Sequence, residues 1–439
     1  MTVLKCAMIA AAALLTMPAA FAQSNAEVNS GVQFNFASPG ARSLGIGGAF
    51  VGLADDATTA YANPAGLVNV VTPEVSGEFR GWQYTNRFPT GGHAFGPPSN
   101  VGVDTIAGIE KGTSVTRELG FSFASVVYPQ EGWAFAVYRH KLADLKVSSE
   151  TRGFFYTLPD LPGPPPLPGD SNSARAAPSR SHMDVQIVGY GVSGAYRIND
   201  RLSLGLSAAR YALTMDGETL RYSASGAGPP TYEKVVHTQT QSGSDTAITF
   251  NGGLLWQATN AITIGATYRQ ASAFEVEVSS DSSPDVCRGA FNVPDVAALG
   301  ASFLLPYDVT VAADYDHIRY SRLTRHFVAF DQKNVCAEQT RAVDYSVKDV
   351  GEIHLGVAKA LRLRGHGIVF SAGWWNEPSH TMEFRDPTRA EHVLFDRGTT
   401  DNHFSVGLGF NLDSHRQIYT AFETSRRQRV LSVSALARF

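Results

Sequence analysis

The sequence lacks three features that define common protein classes: abundant cysteine, an excess of basic residues, and a long apolar run beyond its first residues. Only three cysteines occur in 439 residues, which excludes a small disulfide-stapled scaffold. The 36 basic and 40 acidic residues give a net charge of −4, so we expect no nucleic-acid partner. Beyond residue 22, no segment offers the roughly 18 consecutive apolar residues that a membrane helix needs.

The first 22 residues have the pattern of an export signal. Lys5 supplies a basic start, Cys6 to Met17 form an apolar core, and Ala20 to Ala22 form a small-x-small cleavage site. This core is too short for a membrane anchor. We therefore expect residues 1–22 to be a secretory signal peptide, and its removal takes Cys6 out of the mature protein.

The rest of the chain repeatedly alternates apolar residues with small or polar ones. In Ile262 to Gln270 the apolar side chains fall at every second position, and Arg201 to Ala209 and Asn402 to Leu412 repeat the pattern. A period of two places alternate side chains on opposite faces, which predicts β-strands. About fourteen such segments follow one another from residue 73 to the end of the chain.

The connections between these segments alternate in length. Asn199 to Arg201 and Asp413 to Arg416 are short, whereas Asn86 to Thr116 and Gly153 to Ser181 are long and polar. Outer-membrane barrels have short periplasmic turns and long extracellular loops. The sequence therefore predicts an all-β fold, in which residues 72–439 form a transmembrane antiparallel β-barrel of about 14 strands in a Gram-negative outer membrane. Its surroundings would be outer-membrane lipid and lipopolysaccharide, and we expect a monomer.

The predicted last strand ends on an aromatic residue, Phe439. Leu431 and Val433 share its face of the strand. A terminal aromatic residue on an alternating strand resembles the recognition signal of the barrel-assembly machinery, which is therefore an expected partner. The alternative is an ordinary strand that happens to end the chain.

Residues 23–71 lack the alternation and therefore form a separate segment. Gly47 and Gly48 could cradle a phosphate, but Phe50 stands where a dinucleotide fingerprint needs its third glycine. The adjacent acids Asp55 and Asp56 could bind a metal, but no histidine or thiol lies near them in the sequence. We instead predict that this segment is a hatch, a plug inside the barrel lumen, with no metal and no cofactor.

A short helix fits the middle of the hatch, with Asp55 or Asp56 as its cap and Asn63 before Pro64 as its end. The stretch Gly40 to Leu67 resembles the start of mature proteins of the FadL/TodX family of outer-membrane channels. Val293 to Ser321 resembles a strand, turn and strand of the same family. The hatch residues that stand in the family's order are Gly47, Gly48, Asp55, Asp56, Asn63, Pro64 and Ala65.

The resemblance implies a fourteen-stranded barrel with an N-terminal hatch and no enzymatic activity. It also implies passive uptake of long-chain fatty acids or aromatic hydrocarbons: the hatch shifts, and the solute leaves sideways through a defect between strands. Two other functions stay open. A related branch of barrels docks partner proteins in secretion, and some outer-membrane lipid hydrolases carry a His-x-Ser pair such as His403 and Ser405.

Two arginines are candidate partners for an anionic solute. Arg269 falls on the lumen face by alternation. Arg210 would face lipid by the phase of its strand, at a cost of roughly 2–4 kcal/mol near the bilayer midplane. We therefore expect a β-bulge near Ala208 and Ala209 to turn Arg210 inward, which would leave Tyr211 facing lipid.

The alternative for both arginines is a structural role in the lumen wall, paired with acids such as Asp314 and Asp316.

The two remaining cysteines, Cys287 and Cys336, fall on predicted extracellular loops. In an oxidising compartment they could form one disulfide, and two free thiols are the alternative. Closing a loop of about 50 residues would stabilise these loops by roughly 3–4 kcal/mol in the chain-entropy model.

Overall fold

Fourteen long antiparallel strands form a closed barrel in the structure, a computed structural model that describes residues 34, 36–157, 173–224, 226–281, 283–330, 336–341, 345–385, 392, 395 and 398–439. The predicted signal peptide, 1–22, lies outside the described residues. The strands are β1 (Glu74–Ala94), β2 (Gly108–Gln130), β3 (Trp133–Thr151), β4 (Ser179–Asn199), β5 (Leu202–Tyr222), β6 (Val235–Thr259), β7 (Ile262–Arg269), β8 (Val296–Leu305), β9 (Val309–Ile318), β10 (Val350–Leu363), β11 (His366–Glu377), β12 (Asp401–Asn411), β13 (Arg416–Thr424) and β14 (Gln428–Arg438).

Each strand pairs with its neighbour in the chain, and the first pairs with the last. Glu74 at the start of β1 stands opposite Arg438 in β14, and this ladder runs to Tyr84 opposite Gln428. Closure removes the free edges that an open sheet would expose to lipid. The fold class predicted from the alternation, an all-β antiparallel barrel of fourteen strands, is confirmed.

Shorter elements accompany the barrel. Among the described residues, no helix has the length and hydropathy needed to span a bilayer. Four short strands join the main sheet, two strand pairs stand apart from it, and the helical segments are brief. These elements are α1 (Ala41–Gly45), α2 (Thr59–Ala62), the 3₁₀ helices Pro64–Asn69 and Tyr320–Thr324, the sheet strands Phe155–Thr157, Ser173–Arg175, Ala273–Ser280 and Cys287–Asn292, and the pairs Arg325–Phe330 with Cys336–Arg341 and Tyr345–Ser346 with Glu383–Phe384.

The two faces of the wall differ in polarity. In β12, Phe404 and Val406 are exposed on the outside, whereas His403 and Ser405 are buried inside. The other strands also expose apolar side chains outside, but β4 and β5 bury large apolar residues inside as well, among them Ile187 and Leu213. Lipid therefore meets an apolar band, and the lumen is lined by polar and small side chains together with an apolar cluster.

Two predicted boundaries were wrong. The expected loop Asn86 to Thr116 is shorter, because β1 continues to Ala94 and β2 begins at Gly108 as a hairpin above the membrane. A register shift between Pro89 and Gly91 accommodates the proline, which has no N–H to give to a ladder.

The second boundary concerns the predicted seventh strand, which breaks after Arg269 and resumes at Ala273. At the break, the backbone N–H of Ala271 donates to Asp295 Oδ1 at 2.7 Å. The Asp295 carboxylate thus takes the place of a backbone carbonyl as the acceptor for this N–H group. The period-two alternation of the sequence gives no sign of such a replacement.

Hatch residues 36–71 contact the inner face of strands around the barrel. Ser125 in β2 and Ser193 in β4 donate to the carbonyls of Ala57 and Ala60 at 2.7 and 2.6 Å. Ser203 in β5 donates to Ala65 O at 2.9 Å. Irregular backbone cannot satisfy its own polar groups, so these inward hydroxyls take the place of water.

Wall glycines let the hatch backbone approach closely. A Cβ on Gly373 would lie 2.0 Å from Gly47 N, and a Cβ on Gly205 would lie 2.3 Å from Ala65 N. A Cβ on Gly253 would lie 2.2 Å from Asn63 Oδ1. At these three positions the wall fits the hatch because it lacks side chains.

Cys287, at the start of an outer strand, is buried and disulfide-bonded. The side chain of Cys336 lies outside the described part of the structure, so the pairing of these two residues stays a prediction. Asn292 Nδ2 donates to Arg325 O at 2.8 Å, which ties the Cys287–Asn292 strand to the neighbouring outer hairpin.

We predict that Gly253→Ala destabilises the seated hatch by about 1–3 kcal/mol, because the Cβ overlaps an amide that is already hydrogen-bonded. Thermal unfolding and proteolysis of residues 36–71 in the purified barrel would measure this effect. Gly252→Ala is the matched control, since its Cβ meets only Leu206 Cδ2 at 3.9 Å. Equal behaviour of the two variants would contradict the close fit.

Candidate functional site

The hatch motif forms a set of contacts that hold the segment in place. Asn63 caps the 3₁₀ helix: its Oδ1 accepts from Ala65 N at 3.2 Å, and its Nδ2 donates to Val51 O and Leu254 O. Pro64 opens that helix, and the preceding helix α2 ends at Ala62, as predicted.

The glycine pair turns the chain beneath the wall. Gly47 and Gly48 have φ of 68° and 82°, which side-chain-bearing residues rarely adopt. Gly47 N donates to Ser405 Oγ at 3.1 Å, and His354 Nδ1 donates to Gly47 O at 2.7 Å. These glycines bind the protein's own wall rather than a phosphate.

The two adjacent acids, Asp55 and Asp56, form ion pairs with an arginine of the hatch. Arg42 in α1 pairs with Asp55 and lies 3.1 Å from Asp56 Oδ2. Asp56 Oδ1 also accepts from Thr58 N at 2.9 Å, so it caps the turn before α2. Asp55 and Asp56 therefore fold the hatch onto itself, and Arg42 is a partner that sequence reasoning missed.

A cavity of about 80 Å³ lies between the hatch and the wall. Its walls are both aromatic and acidic. The aromatic lining residues are Phe34, Phe36, Trp82, Tyr320 and Trp375; the charged or titratable ones are Arg80, Asp316, Glu352, His354, Glu377 and Glu423.

Histidines and carboxylates form a network beside this cavity. His403 Nδ1 lies 3.1 Å from Glu423 Oε1, and its Nε2 lies 3.2 Å from Glu377 Oε2. The ring of Trp375 stacks on both His403 and His354, with centroids 3.7 and 5.2 Å apart. No sequence pattern indicated this network, because its members come from strands that only the barrel brings together.

Glu377, Asp401 and His403 bring ligand-type atoms within 4.8 Å of one another. Asp401, however, already serves the turn between β13 and β14. Its Oδ1 accepts from Arg426 N and Nε at 3.3 Å, and its Oδ2 accepts from Arg427 N at 3.2 Å. Hydrogen bonds that hold the outer rim of the barrel therefore already occupy the Asp401 carboxylate of this cluster.

His403 and Ser405 both face the lumen, as the alternation predicted, but they serve different partners. His403 bonds to two carboxylates, whereas Ser405 accepts from the hatch backbone at Gly47. A hydrolase needs the hydroxyl of its nucleophilic serine hydrogen-bonded to the general base. Here Ser405 instead joins the barrel wall to the hatch.

Arg269 faces the lumen, where its guanidinium contacts both the hatch and the wall. Its NH1 donates to Phe36 O at 2.7 Å, its NH2 lies 3.4 Å from Asp316 Oδ2, and its guanidinium lies 5.4 Å from the Tyr61 ring centroid. The guanidinium is 7% exposed. Its contacts are those of a structural arginine that locks the hatch to β7 and β9.

The expected inward turn of Arg210 was wrong. β5 runs in even register with β4 and β6 past Ala208 and Ala209, with no bulge there. Arg210 therefore stays on the outer face between Tyr190 and Ile248, and Tyr211 faces inward. Arg210 lies eight residues above the start of β5, about 20 Å up a tilted strand, near the outer edge of the apolar band.

The wall opens between β2 and β3. Their ladder starts at Gln130 opposite Trp133 and ends at Phe123 opposite His140, although both strands continue well beyond. One extra residue in each strand, Ser122 and Leu142, interrupts the pairing with β1 and β4 at this height. Two bulges at one level make the strands diverge.

Side chains partly bridge this β2–β3 gap. Arg139 NH1 donates to Phe121 O at 2.8 Å, and Thr116 donates to Lys146 O. A cavity of about 40 Å³ occupies the gap. Arg80 and Trp82 line both this cavity and the lumen cavity, so these two side chains stand between them.

The outer loop between β1 and β2 is fastened by a buried acid. Asp104 lies 2.8 Å from His93 Nδ1 and accepts from Ser99 N at 2.9 Å. Burial acts to raise the pKa of the Asp104 carboxyl, but the hydrogen bonds from Ser99 and His93 outweigh it, so the pKa lies below its ordinary value.

Comparison with known proteins agrees with the geometry. The family model described as outer membrane protein transport protein (OMPP1/FadL/TodX) matches residues 170–358. This match covers the middle of the chain and supports the resemblance to the FadL/TodX family. No curated protein matches the sequence at a significant level.

Solved structures share the FadL/TodX barrel fold at low identity. A Pseudomonas aeruginosa FadL homologue is 14% identical with a TM-score of 0.58, over 93% of this chain and 99% of its own. The Pseudomonas putida toluene transporter TodX is 13% identical (TM-score 0.57), and the Ralstonia pickettii toluene transporter TbuX is 14% identical (TM-score 0.55). Both matches cover 92% of this chain and 99% of theirs.

The chain thus has the barrel fold of the FadL/TodX structures. The family description and the matched structures are of transport proteins.

We predict that acidification releases the loop at Asp104. Because the pKa is depressed in the folded state, its contribution to stability is present above the ordinary value of about 3.9 and is lost as the pH falls below it. Protease access to residues 95–107 should rise below about pH 4, and Asp104→Asn should raise it already at neutral pH. Unchanged cleavage in both cases would contradict the fastening role.

We predict that Arg269→Ala lowers the stability of the barrel by roughly 3–5 kcal/mol, because Asp316 is left buried without its partner. Uptake of a fatty acid and of toluene should then fall together, so that their ratio is unchanged at matched surface expression. Arg210→Ala is the matched control and should alter neither. A selective loss of fatty-acid uptake in Arg269→Ala would instead identify a head-group anchor.

Proposed function

We propose that the protein is an outer-membrane channel through which hydrophobic solutes diffuse passively and leave sideways through the β2–β3 gap. The observation that carries this proposal is the paired bulge at Ser122 and Leu142, which opens the wall beside the lumen cavity. A solute that leaves there never has to cross the hatch into the periplasm.

The hatch closes the axial route. Hydrogen bonds from Ser203, His354 and Ser405 to its backbone fix it at points around the lumen. A solute in the lumen cavity displaces Arg80 or Trp82, which separate it from the gap. Small shifts of the hatch segment that lines the cavity, Phe34 to Gly48, make room for larger solutes.

The driving force is removal of apolar surface from water, about 0.8 kcal/mol for each CH₂ group. No energy source or cofactor takes part in such diffusion. Both solute classes expected from the resemblance, long-chain fatty acids and aromatic hydrocarbons, supply that surface. The engaged state of Arg269 favours uncharged aromatic hydrocarbons, because a buried carboxylate needs an available partner. Toluene, the solute of TodX and TbuX, is a probe of this class.

We predict that Gly120→Trp reduces toluene uptake by about tenfold or more, because Gly120 lines the gap and its Cβ would lie 2.9 Å from Lys141 Nζ. Uptake of labelled toluene by expressing cells would measure it. Gly194→Trp is the control, since Gly194 lies on the lipid face of an unbroken strand pair, with its nearest neighbour 3.9 Å away. Undiminished uptake in Gly120→Trp would rule out the lateral route.

A further inference from the structure

The lumen cavity carries more acid than a conduit for hydrocarbons requires. Among the described residues, four carboxylates line it, from Asp316, Glu352, Glu377 and Glu423. The only lining guanidinium, that of Arg80, is held by a fifth carboxylate: its NH2 lies 2.8 Å from Glu78 Oε1. The lining of the cavity is therefore rich in carboxylates, and its one guanidinium is already paired.

The bases beside the cavity are already tied to these carboxylates. Arg269 pairs with Asp316, and His354 Nε2 lies 3.5 Å from Glu352 Oε2. His403 lies between Glu423 and Glu377, and His380 Nε2 lies 3.7 Å from Glu377 Oε1. An anionic solute would thus face several buried carboxylates without a guanidinium available to pair with it.

Three buried polar atoms of the lining have no hydrogen-bond partner: Asp316 Oδ1, an acceptor, Trp82 Nε1, a donor, and His354 Nε2, which lies 3.5 Å from Glu352 Oε2. Buried polar atoms are nearly always paired, so each indicates a place that a ligand group or water fills. With a volume of about 80 Å³, the cavity admits the polar head of an amphiphile rather than a whole one.

Aromatic faces surround the same cavity. Trp82, Trp375, Tyr320, Phe34 and Phe36 line it together with the carboxylates. Aromatic rings attract cations through their negative faces, and a desolvated carboxylate adds a charge-assisted hydrogen bond. Rings and acids in one small cavity are a combination suited to an organic ammonium group.

We propose that this cavity binds the protonated amine of an aromatic or alkyl amine, with the ammonium group among Asp316, Glu352 and Glu377 and the apolar body against the hatch aromatics. This inference rests on the proposed uptake of hydrophobic solutes through the same lumen. It names amines as a preferred class, admits neutral solutes and excludes carboxylates.

Three probes with one apolar body separate the head groups: 4-phenylbutylamine, 4-phenylbutanol and 4-phenylbutyrate. Binding to the full-length barrel in nanodiscs at pH 7 is measured by calorimetry. The amine should bind about tenfold more tightly than the alcohol, and the carboxylate more weakly than both. Equal affinities, or tighter binding of the carboxylate, would overturn the proposal.

A variant pair locates the site. Glu352→Gln keeps the side-chain shape but removes one charge, and should reduce amine affinity about fivefold or more while sparing the alcohol. Glu275→Gln is the control, because Glu275 is exposed on the outer strand Ala273–Ser280. A fall in both variants, or in neither, would place amine binding elsewhere. The order of the three probes on the unaltered protein tests the proposal even if Glu352→Gln fails to fold.

Toluene uptake by expressing cells separates this inference from the proposed function. Uptake of toluene without preference for the amine would overturn the amine site and leave the channel intact. Absence of toluene uptake by the unaltered protein at normal surface expression would overturn the channel and, with it, the route to this cavity.

Discussion

Backbone hydrogen bonding in a medium without water is the constraint on which the rest of this structure depends. Lipid offers no partner to an N–H or C=O group, so the strands must pair with one another and the first must pair with the last. Glu74 opposite Arg438 closes that circle. Once the wall is closed, each strand has one lipid face and one lumen face, and the polar side chains collect inside.

The hatch brings irregular backbone into this closed space, and the wall supplies what the backbone lacks. Serine hydroxyls of β2, β4 and β5 donate to hatch carbonyls, and Asp314 Oδ2 accepts from Val51 N at 2.7 Å. Glycines such as Gly205 and Gly373 remove the side chains that would hold the two apart. Contacts with the hatch therefore constrain the residue types at the inward strand positions as much as the barrel itself does.

The same constraint is relaxed at one height between β2 and β3. Bulges at Ser122 and Leu142 end the ladder, and side-chain bonds such as that from Arg139 to Phe121 O replace part of it. Arg80 and Trp82 stand between this gap and the acidic cavity. The proposed lateral exit and the proposed amine-binding cavity are thus neighbours.

The sequence by itself determined the barrel, because a period of two with alternating loop lengths leaves few other folds. It also determined the hatch turns: Gly47, Gly48 and Asn63-Pro64 act through local backbone geometry. Tertiary structure alone decided the rest. Arg210 faces outward because strand register, which involves three strands, excluded a bulge that one strand could have contained. Arg42 with Asp55, the Trp375–His403 stack and the β2–β3 gap all join residues that are distant in sequence, and only barrel closure brings them together.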